Sequence, residues 1–202
     1  MAPTEAHGNQ DTARDRILAS ASALFARRGF DAVSVADIAQ ASGTSTSLIY
    51  YHFADKQALF ETAVLEAADL MESVASAALA QPGEPAERLV AFARAYSELL
   101  GSHPDTMRVL ILSVASLEGR LPQQVLERAS AIVDAIAETI AEGIASGVFR
   151  AVDPKPAAAA LFAMTNAPVT ARALAVADGL AETSHADLGE RMADLFLRGI
   201  RA

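Results

Sequence analysis

Neither cysteine nor tryptophan occurs in this 202-residue chain. Without thiols it has no disulfide framework, no cysteine nucleophile and no thiolate metal ligand, which suits a reducing compartment and makes the cytoplasm the expected location. The four histidines (His7, His52, His103, His185) are scattered and form no H-x-x-x-H pair, the spacing that turns two imidazoles toward one metal. A G-x-S-x-G elbow and a phosphate-cradling glycine loop are missing too. No catalytic residue, metal or cofactor is therefore expected, and an enzyme is not the reading. Long apolar runs are also lacking: none approaches the ~18 residues that span a bilayer. The start MAPTEAHGNQDTARDR has neither the basic opening nor the apolar stretch of a signal peptide. No membrane partner is expected. Strand signals are scarce, and helical periodicity recurs along the chain, so the fold class is all-α with about nine helices. At this length roughly 70 % of the surface is buried on folding, enough for a core without cross-links.

What the chain does carry is concentrated between Ser34 and Phe60. Ser34 precedes the apolar-periodic Val35, Ala36, Ile38 and Ala39, with Asp37 three residues on. That is a capping-box-like start in which Asp replaces Glu or Gln. Gly43 can take the left-handed conformation that ends a helix, and Thr44 to Thr46 carry side chains that cap the next one. Two short helices joined this way are a helix-turn-helix. The second, about Thr46 to His52, turns Ile49 and Phe53 inward. Its other faces carry Thr46, Ser47, Leu48, Tyr50, Tyr51 and His52 and no acid. Such a surface suits phosphates and base edges, from which a carboxylate would be repelled. Other readings stand beside this one: Tyr50 and Tyr51 as half-buried aromatics, His52 as a structural hydrogen-bonder, Lys56 as a solvated charge.

The string G-x-S-x-x-x-[LI]-Y-x-[HY]-F-x-x-K-x-x-L, present as Gly43, Ser45, Ile49, Tyr50, His52, Phe53, Lys56 and Leu59, resembles the DNA-binding head of the TetR family of transcriptional regulators. The upstream helix fits as well, with Ile17, Leu18, Ala21, Leu24 and Phe25 on one face and Arg27-Arg28-Gly29-Phe30 at its end. The resemblance implies phosphate contacts from Thr44, Ser45, Tyr50, Tyr51, His52 and Lys56, base-edge contacts from Thr46, Ser47 and Leu48, and a backbone contact from Ser34. Thr46 stands where the family often has Lys, and Ser47 where it often has Gly or Ala. Hydroxyls bond to several bases, whereas a bidentate Arg or Asn would name one, so the operator sequence stays open.

Basic side chains are scarce for such a role: 16 Lys and Arg against 25 Asp and Glu, a net charge of −9. Their distribution softens the objection. Residues 1–56 hold five basic and six acidic side chains, a net of −1, and the other −8 lies in residues 57–202. Most of that acidity is expected beyond a Debye length of ~8 Å from a DNA-facing head. Binding should depend on salt, with moderate nonspecific affinity.

The expected division is a head, residues 1–56, and a helical body, residues 57–202. Helix four starts near Lys56 and carries Phe60, Val64, Ala67, Met71 and Val74 at helical spacing, joining head to body. A fifth helix opens at Pro85 and shows Leu89, Phe92, Ala93, Tyr96, Leu99 and Leu100; a sixth follows Pro104; a seventh runs from about Pro122 to Ser146. Asp153-Pro154 begins an alanine-rich helix that Pro168 must kink or break. The last helix repeats Leu188, Met192, Leu195, Phe196 and Ile200.

The resemblance implies an unknown small-molecule effector in the body and a homodimer through the last two helices. Pocket candidates are Phe92, Tyr96, Met107, Ile111 and Leu117, bulky or adaptable residues that ordinary core packing would also explain. His103, Glu118 and Asn166 are candidate polar partners, each with a capping or turn explanation. Dimer candidates are Leu161, Met164, Leu188, Met192, Leu195 and Phe196; a last helix that caps its own domain is the alternative. A dimer sets two recognition helices about 34–36 Å apart on a double-stranded pseudo-palindromic operator, and an effector that prefers another spacing releases it. The expected function is thus a ligand-responsive repressor. The alternative is a helical small-molecule-binding or interaction protein without specific DNA binding.

Overall fold

Caps and turns divide the chain much as its local signals require. The structure, a computed structural model, describes residues 4–115, 123–173 and 184–201, with side chains over 13–110, 123–168 and 184–201. Among the described residues there are nine helices: α1 (Thr4–Arg28), α2 (Val35–Ser42), α3 (Thr46–His52), α4 (Lys56–Leu79), α5 (Pro85–Ser102), α6 (Pro104–Ala115), α7 (Gln123–Ala145), α8 (Pro154–Ala173) and α9 (His185–Ile200). An isolated bridge pairs Phe149 with Arg201. Gly29 and Gly147 follow α1 and α7 at φ 77° and 76°, left-handed values that glycine adopts without a Cβ clash. Pro168 does not end α8, which continues to Ala173. A proline inside a helix gives up one backbone hydrogen bond, and here the rest of α8 tolerates that loss.

The chain forms two compact units whose division differs from a cut at residue 56. One comprises residues 1–67 and 105–122, the other residues 68–104 and 123–202. The physical reason is that α4 is one continuous helix across the boundary, and that α6 belongs with the head, where Asp105 pairs with Arg27 at 3.1 Å.

In the first unit Ile17, Leu18, Ala21 and Phe25 of α1 are buried, as are Ile38 of α2, Ile49 of α3 and Leu59 and Phe60 of α4. Phe25, Phe30 and Phe60 form an aromatic trio with ring centroids 5.0–5.7 Å apart. In the second unit α5 lies against α7, α8 and α9. The approach to α9 is close because Gly189 faces it: a Cβ there would sit 2.2 Å from the Ala93 carbonyl oxygen. Its buried face runs through Gly189, Ala193, Leu197 and Ile200. Arg150 fastens the end of α9, its backbone N–H donating to the Ile200 carbonyl and its Nε to that of Gly199, both at 2.9 Å.

Candidate nucleic-acid interface

The interface begins with three local hydrogen-bond devices. At the start of α2 the Ser34 hydroxyl accepts from the Asp37 N–H at 3.1 Å, and the Asp37 carboxylate accepts from the Ser34 N–H at 2.9 Å. The box is complete, with the shorter Asp in the place of Glu. The Ser34 hydroxyl also donates to that carboxylate at 2.5 Å. Hydrogen bonds from the Ser34 side chain and backbone, reinforced by Arg28, hold the Asp37 carboxyl below its usual range. At the turn Gly43 has φ 64°, and its N–H reaches the Ala39 and Gln40 carbonyls. The Ser42 hydroxyl donates to Ile38 O at 2.7 Å, so its hydrogen is engaged and Thr44 is the donor in their 2.7 Å contact. At the start of α3 the Ser45 hydroxyl accepts from the Leu48 N–H at 3.1 Å.

These devices hold α3 by one face. Ile49 is buried and Phe53 caps the helix, its N–H donating to Ile49 O at 2.8 Å. Thr46 and Ser47 are exposed and make no side-chain hydrogen bond among the described residues; Leu48 is half-buried. Tyr50 and Tyr51 are 55 % and 68 % exposed, so neither phenol is a half-buried joint. Together Thr46, Ser47, Tyr50 and Tyr51 form an outward surface of hydroxyls without a carboxylate.

The remaining candidates point elsewhere. His52 is half-buried, its ring packs edge-on to Tyr51 at 5.1 Å, and its Nε2 is enclosed without a partner among the described residues. The hydroxyl of Ser34 is engaged in the cap, and that of Thr44 with Ser42. Lys56 reaches back to the α1–α2 connection. Its Nζ donates to Phe30 O at 3.0 Å and Val33 O at 2.9 Å and lies 4.2 Å from the Phe30 ring centroid. Two of the three ammonium donors are thus engaged by backbone carbonyls of that connection. Asp55, overlooked in the sequence, caps α4 by accepting from the Ala58 N–H at 2.8 Å; its spacing was the available signal.

The body candidates separate in the same way. Phe92 and Tyr96 are fully buried, with ring centroids 5.3 Å apart, and Phe162 meets Tyr96 edge-on at 5.6 Å. The Tyr96 hydroxyl donates to Asn166 Oδ1 at 3.4 Å. Burial pushes this phenol far above its usual range, against the pull of that hydrogen bond. Met107 is buried in the other unit. The Ile111 side chain, Leu117 and Glu118 lie outside what is described. His103 is exposed and contacts the Ser102 hydroxyl at 3.0 Å. An open groove of about 370 Å³ is lined by Ala86, Val90, Arg94, Glu190 and Arg201 among others, and by none of the expected residues.

Two of the dimer candidates are corrected. Leu161 and Leu188, 0 % and 3 % exposed, are buried in the chain's own core and have no surface left for a partner. Leu195 is 60 % exposed, and Met164, Met192 and Phe196 are half-buried. No group of three His, Cys, Asp or Glu among the described residues is arranged for a metal, and no described helix is long and apolar enough to cross a membrane.

Comparison with known proteins agrees with this geometry. Residues 17–63 match the family model for bacterial regulatory proteins of the tetR family, and residues 82–170 match a tetracyclin repressor-like C-terminal domain. The HTH-type transcriptional activator FasR of Mycolicibacterium smegmatis is 26 % identical over 126 residues, 62 % of this chain and 58 % of that protein. The HTH-type transcriptional repressor Rv1474c of Mycobacterium tuberculosis is 41 % identical over 63 residues, 31 % of this chain and 34 % of that protein. The chain thus spans less than two thirds of either curated relative. The solved structure of AibR in complex with isovaleryl coenzyme A and operator DNA superposes with a TM-score of 0.74 at 23 % identity, covering 91 % of this chain and 97 % of its own. At that identity the likeness is one of fold. Two family models that together cover most of the chain, on an all-helical fold with a helix-turn-helix, make it a member of the TetR family of bacterial transcriptional regulators, which are DNA-binding proteins and not enzymes.

Proposed function

We propose that the chain is a dimeric, effector-responsive repressor that binds a pseudo-palindromic operator through α3. One observation carries this: Thr46, Ser47, Tyr50 and Tyr51 stand exposed on a capped helix without a carboxylate. The phenols serve phosphates; Thr46, Ser47 and Leu48 read base edges. Dimerisation runs through the exposed edge of α9 at Leu195, Met192 and Phe196, with Met164 of α8. Support comes from the exposure of Leu195 and from Ala159, Ala163 and Ala167, which leave room for close helix approach. The effector acts in the body, and α4, continuous from Lys56 to Leu79, carries the change. The fold is shared with AibR, whose structure contains both isovaleryl coenzyme A and operator DNA, which supports a body that binds a small molecule on a DNA-binding chain. One curated relative is named an activator and the other a repressor; the repressor has the higher identity over its matched residues, which favours repression.

Selection from a random duplex pool, followed by footprinting, tests the reading. The expected product is a pseudo-palindrome whose half-sites lie one helical turn apart. Folded protein that enriches no sequence would favour the non-DNA-binding alternative. Isovaleryl coenzyme A and free coenzyme A are the first effector probes; release by the thioester alone would assign the class.

A further inference from the structure

A guanidinium closed off from water needs an acceptor, because a buried donor left without one costs free energy and a charged donor costs more. Five of the described cationic side chains belong to half-buried residues, and four of them meet this need. Arg14 pairs with Glu66 at 2.8 Å and Arg128 with Asp69 at 2.6 Å, and Lys56 donates to two carbonyls. Arg88 has an enclosed Nε, but its two Nη atoms donate to the Leu79 carbonyl and to Glu142. Arg108 of α6 is the exception. Its Nε is enclosed without a hydrogen-bond partner, and no ion pair reaches its side chain among the described residues. The one carboxylate of α6, Asp105, is engaged by Arg27 at 3.1 Å. The residues on either side of Arg108, Met107 and Val109, are buried and apolar.

We infer that Arg108 anchors an anionic group, the carboxylate or phosphate of a small molecule whose remainder is apolar, and that this molecule is the effector. The inference rests on the effector-responsive reading. A buried polar group without a partner calls for an explanation, and an acceptor brought by a ligand supplies one. An anion beside Arg108 takes the Nε–H and a neighbouring Nη–H together, the bidentate geometry that suits a guanidinium and not an ammonium. The apolar remainder follows from the neighbours of Arg108 on α6, where Met107, Val109 and Leu110 are all buried. Asp105, one turn before Arg108, is tied to Arg27 in the last turn of α1, and α6 groups with the head. Charge bound at Arg108 therefore acts on the helix that carries this link.

The test uses the full-length protein and its Arg108→Met and Arg108→Lys variants. Without ligand, Arg108→Met should melt about 2–4 °C above wild type, because Met keeps the apolar stem and removes a charge that lacks an acceptor. A lower melting point, or a variant that fails to fold, means that the guanidinium has an acceptor within the chain and overturns the inference. Calorimetric titrations then compare octanoate with octanol, and octanoyl coenzyme A with free coenzyme A. Wild type should bind octanoate or octanoyl coenzyme A, with affinity for that probe roughly 10- to 100-fold lower in Arg108→Met and intermediate in Arg108→Lys. Binding of octanoate assigns the carboxylate; binding of the thioester without octanoate assigns the phosphate. Equal affinities in wild type and Arg108→Met, an equal loss of octanol binding, or no anionic probe bound by wild type overturns the inference. Operator release by the same probes is measured separately. Anion binding that depends on Arg108 and leaves operator affinity unchanged keeps the anchor and removes the effector-responsive reading.

Discussion

Gly43 allows a clean perturbation, because a Cβ built on it meets nothing within 4 Å while its backbone holds φ 64°. Any cost of substitution is therefore conformational, with no steric component to subtract. An L-residue in the left-handed region costs roughly 1–2 kcal/mol, Asn less because its side chain bonds locally, and a β-branched residue most. The expected order of stability is glycine, then Asn, then Ala, then Val. For a chain of this size about 1 kcal/mol moves a melting point by roughly 2–4 °C, so Gly43→Ala should melt about 2–8 °C lower. Urea unfolding by tyrosine fluorescence reads the head, since two of the three tyrosines, Tyr50 and Tyr51, lie on α3 and tryptophan is absent. Relaxing the turn in the free protein would leave the strain to be met on binding, so operator affinity should fall by roughly 5- to 30-fold for the same energy. If Gly43→Asn were as damaging as Gly43→Val, the cost would be steric and the reasoning wrong.

Three further outcomes follow from the geometry. Gly189→Ala places a methyl 2.2 Å from the Ala93 carbonyl oxygen, whereas Gly199→Ala on the same helix meets nothing within 4 Å. Thermal melts, with sedimentation run in parallel, should show about 1–3 kcal/mol of destabilisation for the first and a gain of up to ~1 kcal/mol for the second; equal effects would deny the close approach. Leu195→Glu should leave far-UV circular dichroism unchanged and halve the mass in sedimentation, because Leu195 is 60 % exposed within one chain; a persistent dimer would move the interface elsewhere. Asp37, with its folded pKa below 3.8, stabilises above the unfolded value, and that contribution is lost as pH falls through the folded value. Asp37→Asn should therefore have a lower urea midpoint than wild type at pH 7, with the gap closing below pH 3.8; a gap independent of pH would mean that the carboxylate charge plays no part.

What could be read along the chain and what could not divide by sequence distance. The caps of α2 and α3 are hydrogen bonds between residues three apart, Ser34 with Asp37 and Ser45 with Leu48, so the residues that make them stand side by side in the sequence. The core face of α5 was legible because Leu89, Phe92, Tyr96, Leu99 and Leu100 are large and periodic. On α9 the same reasoning favoured Leu188, Met192, Leu195 and Phe196, while most of the buried face runs one position on, through Gly189, Ala193 and Leu197. Counting large apolar residues overlooks a face made of small ones, although a short distance between helices is what small residues permit.

By itself, then, the sequence determined a helical chain with a capped helix-turn-helix and a recognition helix free of acids, because those properties depend on residues within one or two turns of each other. Tertiary structure decided that the Lys56 ammonium belongs to carbonyls 26 and 23 residues away, and that Leu161 and Leu188 are buried while Leu195 is exposed. Periodicity shows that a face is apolar but not which element covers it, and a charge near a helix start does not show which carbonyls the folded chain brings within reach.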